Sequence, residues 1–343
     1  MASMVMVLSM TMYCPGNAEA SGAGQGPDQA TNQNEIKVTQ TKPHVAPIPT
    51  KNSPNRIMTN FNGNTQKEMG FSWYTTDRFK DAKVWVSESG RFDDAQIFNA
   101  KPKKVNSKYL ERDDSGHFIF KDVQKDDEGN VIKDKNGKEK VNGYYTDANA
   151  HGPEWTSGNE HGEATLTSQT EYTYKAKATG LKPNTKYYYK VGSLQGGQST
   201  VGQFQTSGNK GDAFKFVQYT DTQNAFWNEH VRNEAQFGAD TLNQAIQTAG
   251  NPNFALHTGD FVETSEIEDE WTDLYDQSRP SFMSLPVAAT AGNHDEHAFN
   301  EDDPKLLGQF NQHVNVPKAN NAVNGGSYYS FDYNGAHMVV ANT

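Results

Sequence analysis

Three short apolar runs in the second half of the chain each end in a polar cluster, and this pattern constrains the fold more than any other feature. The runs are Phe214-Lys215-Phe216-Val217-Gln218-Tyr219, Asn253 to His257 and Val287 to Thr290. The clusters that follow them are Asp221-Thr222-Gln223, Gly259-Asp260-Phe261-Val262-Glu263 and Gly292-Asn293-His294-Asp295. Between the runs lie two segments of helical character. Glu234 to Ala249 carries Phe237, Leu242 and Ile246 at helical spacing and meets Gly250 as a stop, and Glu266 to Tyr275 is the second. Strand and helix in alternation build an α/β domain, whose ligands gather at the carboxyl ends of the strands. The polar clusters occupy those ends, where a rigid sheet holds side chains in register.

The first half has a different rhythm. Met69-Gly70-Phe71-Ser72-Trp73-Tyr74 and Ala82-Lys83-Val84-Trp85-Val86 alternate and are bounded by turn residues such as Asn62-Gly63-Asn64, so they read as half-buried strands. Thr170 to Ala178 alternates likewise and leads into Gly180 to Val191 and Gly202 to Thr206, which resemble the closing strands of a fibronectin type III sandwich with its tyrosine corner. Residues 101 to 165 read as an inserted surface hairpin. Its stretch Asp126 to Lys138 is dense in Asp, Glu and Asn but lacks the spacing of a calcium loop. With 343 residues the chain exceeds a single core. The expectation is an all-β sandwich over residues 51–208 followed by an α/β domain over 209–343.

Met4 to Met12 is a short apolar run followed by Pro15, Gly16 and Ala18-Glu19-Ala20, the small-x-small pattern of a signal peptidase site. Residues 1–20 therefore read as a signal peptide of a secreted protein, against the alternative of a tail or a misassigned start, because a basic n-region is missing. Cys14, the one cysteine, lies inside this segment. Residues 21–50, rich in Gly, Gln, Asn, Thr and Pro, read as a disordered linker. No run reaches the roughly 18 to 20 apolar residues that cross a bilayer. The net charge of −11, from 31 Lys plus Arg against 42 Asp plus Glu, argues against a non-specific grip on nucleic acid or anionic membrane.

Carboxylate, amide and imidazole groups together suit a dinuclear site whose ions lie about 3.5 to 4 Å apart, polarise a phosphoryl group and acidify a bound water. The ordered set D-x-Q, G-D-x-x-E and G-N-H-D, each after a strand, resembles the first signatures of the calcineurin-like metallophosphoesterases. With the preceding sandwich it is closest to the purple acid phosphatases and their bacterial relatives. Gly326 to Tyr333 followed by His337 to Val340 resembles the strand pair after G-N-H-D in that family. The resemblance implies that Asp221 binds one metal, Asp260 bridges two and Asn293 binds the second, while His294 faces the substrate phosphate as charge stabiliser or acid.

Two positions depart from the family. Gln223 stands where many members have a metal-binding His, and is either a ligand or a neighbour of one. Glu263 stands where purple acid phosphatases have the iron-binding tyrosine, so the purple colour is expected to be absent, and Glu263 binds or orients a metal. His257, Glu296 and His297 read as structural or exposed. The resemblance also implies three later histidines, two of them from G-H-x-H. No G-H-x-H occurs in the sequence, so the α/β domain is expected to be incomplete and the chain inactive. The metals are two divalent or trivalent ions, Fe, Mn, Zn or Ca, and the substrate is a phosphate ester. A non-catalytic adhesion or wall-binding protein, using its sandwich, is the alternative.

Overall fold

The computed structural model describes residues 4–8, 46–146, 163–225, 234–299, 307–317 and 328–341. The order begins β1 (Met4–Leu8), β2 (Asn55–Asn60), β3 (Met69–Thr75), β4 (Lys83–Ser87), β5 (Gln96–Asn99) and β6 (Lys101–Leu110). It continues β7 (Ile119–Val123), β8 (Val141–Thr146), β9 (Glu163–Ala164), β10 (Leu166–Ala178), β11 (Lys186–Ser193), β12 (Gly197–Gln198) and β13 (Gly202–Gln205). The second half runs β14 (Phe216–Tyr219), α1 (Glu234–Ala249), β15 (Phe254–His257), α2 (Glu268–Gln277), α3 (Arg279–Phe282) and β16 (Val287–Ala289). It closes with a 3-10 turn at His294–Glu296, α4 (Leu307–His313), β17 (Tyr329–Tyr333) and β18 (Ala336–Ala341). No described helix is long and apolar enough to cross a membrane.

Two sheets form the N-terminal half. One has the order β2-β3-β10-β6 and the other β12-β11-β4-β5, with β13 also on β11. Met69, Phe71 and Trp73 of β3 meet Tyr187, Tyr189 and Val191 of β11 and Val84 and Val86 of β4 in one buried core. The Phe71 and Tyr189 rings lie 5.1 Å apart edge to face, and Trp73 stacks on Tyr174 at 5.3 Å. Tyr187 OH accepts a hydrogen bond from the Lys182 N–H at 2.9 Å, the bond that a tyrosine corner makes.

Three sequence expectations are corrected here. Residues 101–110 belong to the main sheet: β6 pairs antiparallel with β10 from Lys101 to Leu110, and the hairpins begin only beyond it. The end of the expected linker is packed, since Ala46 is buried, its N–H donates to Asp273 Oδ1 at 3.1 Å, and its carbonyl accepts from Arg112. β3 is buried along its whole length rather than on one face, because the second domain covers the side that alternation marks as exposed. Met4–Leu8, inside the expected signal peptide, pairs parallel with β18. The proposed cleavage site and residues 21–45 of the linker lie outside the described residues.

In the C-terminal half β14, β15 and β16 form a parallel sheet in that order. One face carries an aromatic cluster that receives β17: Phe331 lies 4.9 Å from Phe61 and 6.0 Å from Phe254, and Tyr333 lies 5.0 Å from Phe254. Tyr329 OH donates to the Ala289 carbonyl at 3.0 Å, tying β17 to the last parallel strand.

The two halves are joined through polar groups that each find a partner. Asn60 Nδ2 donates to the Val287 carbonyl at 2.8 Å and Asn60 Oδ1 accepts from the Asn315 N–H at 2.7 Å. Four acids of α2 (Glu268, Asp269, Glu270 and Asp273) are buried. Two of them meet arginines of the sandwich: Arg56 bonds Glu268 at 2.6 Å, and Arg112 bonds Asp269. Arg56 can reach inward because it sits in a bulge of β2 with a left-handed backbone, φ 46°.

Candidate metal centre

The three predicted clusters converge at the carboxyl edge of the parallel sheet. After β14, the Asp221 N–H donates to the Gly259 carbonyl at 3.2 Å and the Thr222 N–H to the Asp260 carbonyl at 3.0 Å. After β16, the His294 N–H donates to Asp260 Oδ1 at 3.0 Å. Asp221 and Asp260 are left-handed, with φ of 55° and 54°, a conformation that non-glycine residues hold only where the surroundings impose it. The loops touch so closely that a Cβ on Gly259 would lie 2.7 Å from Gly292, and a Cβ on Gly292 would lie 2.1 Å from Asp260 Oδ1. Glycine at both positions is a packing requirement.

Asp295 staples two of these loops together. Its Oδ1 accepts from the Phe261 N–H at 2.9 Å and its Oδ2 from the Gly292 N–H at 2.9 Å. Burial pushes this carboxyl up, to about 8, while the backbone donors favour the ionised form. Asp295 stands in the third polar cluster, Gly292-Asn293-His294-Asp295, and the burial that makes it an organiser has no local signal.

His257 is the expected structural histidine. Its Nδ1 accepts from the Gly259 N–H at 3.2 Å, so Nε2 carries the proton and donates to Thr222 Oγ1 at 2.9 Å. Burial lowers its pKa to about 3. The neutral ring is therefore a stabilising feature above its unfolded value near 6.5, and that contribution is lost as the pH falls below it.

His294 has its Nδ1 3.0 Å from the Glu263 carbonyl and 3.3 Å from Glu263 Oε2. A carbonyl only accepts, so Nδ1 carries the proton and Nε2 is left without a partner among the described residues. Glu263 thus faces His294, while Asn293 and Asp221 are exposed at the rim. His297 packs its ring 4.5 Å from that of His294.

Residues 54–206 match the family described as purple acid phosphatase, N-terminal domain, and residues 214–341 match calcineurin-like phosphoesterase. The chain joins a purple acid phosphatase N-terminal domain to a calcineurin-like phosphoesterase domain. It is 27% identical over 190 residues to purple acid phosphatase 21 of Arabidopsis thaliana, covering 53% of this chain and 40% of that protein. It shares its fold with the purple acid phosphatase PPD1 from yellow lupin, Lupinus luteus, at a TM-score of 0.50 and 16% identity, covering 82% of this chain and 43% of the lupin chain. The chain thus spans less than half the length of either relative.

Phosphoesterases of these families use a dinuclear metal centre. Among the described residues no three His, Cys, Asp or Glu side chains form a metal-holding cluster. The chemistry at the edge of this phosphoesterase domain still fits a cation. Asp221 and Asp260 bring carboxylates, Asn293 brings an amide, and Gln223 Oε1 is buried with no hydrogen-bond partner among the described residues, an acceptor left for a ligand. These are hard oxygen donors, which suit hard cations.

Proposed function

We propose that the chain's phosphoesterase domain hydrolyses phosphoric esters with two cations held through Asp221, Asp260 and Asn293, Asp260 serving both. The observation that supports this reading is the hydrogen bond from the His294 N–H to Asp260 Oδ1, which sets the third loop against the acidic residue of the second. Gln223 contributes its unpaired amide oxygen. Glu263 orients His294 through Nδ1, and the unpartnered Nε2 is the atom that meets the phosphoryl group or leaving oxygen. The bound ions supply charge neutralisation and an acidified water. With amides in place of imidazoles, the donors described here hold transition metals weakly, and turnover by this chain is expected to be low.

His294→Ala tests the division of labour. It is expected to lower kcat on an aryl phosphate by about 10² to 10⁴-fold while leaving the bound metal unchanged, as for loss of an acid or charge stabiliser. Loss of metal from the purified variant would instead make His294 a ligand. Nothing in the domain matches favours the adhesion reading, because one is the N-terminal domain of purple acid phosphatases and the other a calcineurin-like phosphoesterase.

The N-terminal domain has the two-sheet form and tyrosine hydrogen bond of a fibronectin type III-like sandwich, and we read it as one. Export is part of the same proposal and rests on Met4 to Ala20. The secreted protein is expected to begin at Ser21 by N-terminal sequencing; a chain beginning at Met1 would retain β1 as an edge strand and refute cleavage.

A further inference from the structure

Asp260, the carboxylate that would serve both cations, sits in a backbone form it would not adopt unaided, at φ 54°. Its Oδ1 faces the third loop and accepts the His294 N–H at 3.0 Å. A left-handed residue other than glycine keeps that form only where neighbouring bonds over-determine it. Those bonds converge on a residue of the first loop, Thr222.

Thr222 joins the first loop to the second at three points. Its N–H donates to the Asp260 carbonyl at 3.0 Å. Its Oγ1 lies 3.2 Å from the Phe261 carbonyl and 2.9 Å from His257 Nε2. A carbonyl only accepts, so the hydroxyl proton goes to Phe261, and a lone pair of Oγ1 receives the proton on Nε2. On the other side of the ring, Nδ1 accepts from the Gly259 N–H at 3.2 Å. The chain of donors therefore starts at Gly259, passes through His257 and Thr222 and ends at Phe261. Gly259 and Phe261 are the residues on either side of Asp260.

The surroundings fix the parts of this chain in place. The His257 ring is fully buried, stacked on Phe261 at 3.6 Å and 19° and met edge-on by Tyr219 at 4.5 Å and 82°. Thr222 is also buried, so a lost bond there is not made good by water. Without the hydroxyl, the Nε2 proton and the Phe261 carbonyl would both be stranded. Two further bonds pin Gly259, whose carbonyl accepts from the Asp221 N–H and from Thr220 Oγ1, each at 3.2 Å.

We propose that Thr222 is a positioning residue whose hydroxyl, together with His257, holds the Asp260 backbone so that its carboxylate stays turned to the His294 loop, ready to serve both cations. The service to the cations rests on the function proposed above, whereas the orientation of Asp260 is a property of the loops alone. A residue of this kind acts through the ligand it orients. Its loss typically lowers metal affinity by about 10 to 100-fold without removing any ligand.

The test compares the full chain with Thr222→Val, which keeps the side-chain shape and removes the hydroxyl, and with Thr222→Ser, which keeps the hydroxyl. Amide hydrogen exchange without added metal reads the His294 N–H, whose acceptor is Asp260 Oδ1, against the Trp73 N–H of β3 as reference. The His294 rate relative to Trp73 is expected to rise about tenfold or more in Thr222→Val and to stay within about threefold in Thr222→Ser. Calorimetric titration with Mn²⁺, well below the Tm of each protein, is expected to show affinity about 10 to 100-fold lower in Thr222→Val and restored in Thr222→Ser. A purely structural role would lower Tm and leave both quantities unchanged; that result, or equal losses in the two variants, overturns the proposal. Wild type that binds no Mn²⁺ would overturn the two-cation function, and the exchange rates would still decide the orientation of Asp260. Nitrogen-15 NMR of the wild type, which needs no variant to fold, is expected to place the His257 proton on Nε2. A proton on Nδ1 would break the donor chain and refute the role of Thr222.

Discussion

Asp260→Ala is expected to release bound cations and reduce phosphoester hydrolysis by at least about 10³-fold, because a shared carboxylate is what lets two cations lie close together. Its position leaves little room for a substitute. Asp260 holds a left-handed backbone at φ 54°, and its Oδ1 fills the space beside Gly292 while accepting the His294 N–H. Alanine removes the charge and also frees the third loop. Asp260→Asn separates these effects, since an amide oxygen still accepts the His294 N–H but brings no negative charge. Metal content of both purified variants, measured beside their thermal unfolding, decides the matter. Two ions retained per chain in either variant would sink the bridging role, whereas lost metal in a stably folded Asp260→Asn supports it.

The second large effect is at the domain junction. Arg56→Ala is expected to cost about 3 to 5 kcal/mol of stability, the range for removing one partner of a buried ion pair. Glu171 and Glu268 would keep their burial and lose the guanidinium that bonds both, and Tyr74 would lose the cation lying 4.1 Å above its ring. Urea unfolding followed separately by tryptophan fluorescence and circular dichroism measures the loss and shows whether the two domains still unfold together. Adding Glu171→Gln to Arg56→Ala is expected to recover part of it by removing one orphaned charge. A loss below about 1 kcal/mol would mean that water reaches the cluster in the folded state.

Much of the second domain was legible in the chain. Apolar spacing marks α1, which spans Glu234–Ala249 as expected, and the parallel strands lie where the three apolar runs place them. The convergence of Asp221, Asp260 and His294 follows from cluster order, since strands in one parallel sheet bring their ends to one edge. Glu263 was legible as a member of the second polar cluster but not as the partner of His294, because its reach back to Nδ1 depends on how the second loop folds. Asp295 and the unpaired amide oxygen of Gln223 are informative only once burial is known.

In the first domain the limits differ. β6 went unread as a strand because only three of its ten residues are buried, all in its last four positions, which leaves little of the apolar alternation that marks a strand. The packing of Ala46 went unread because a Pro- and Thr-rich segment has no periodicity to betray a docking site.

The sequence by itself determined the local elements and the order of the site loops, since both follow from side-chain periodicity and from polar residues placed at strand ends. Only the tertiary structure decided what the domains do to each other. It buried both faces of β3, turned the acids of α2 inward and set Arg56 against Glu171 and Glu268, which lie 115 and 212 positions away. A period of 2 or 3.6 residues records which face of an element is apolar, and that information is local. Whether a charged face meets water or an opposite charge depends on residues far away along the chain, so such pairings are fixed only when the two domains close on one another.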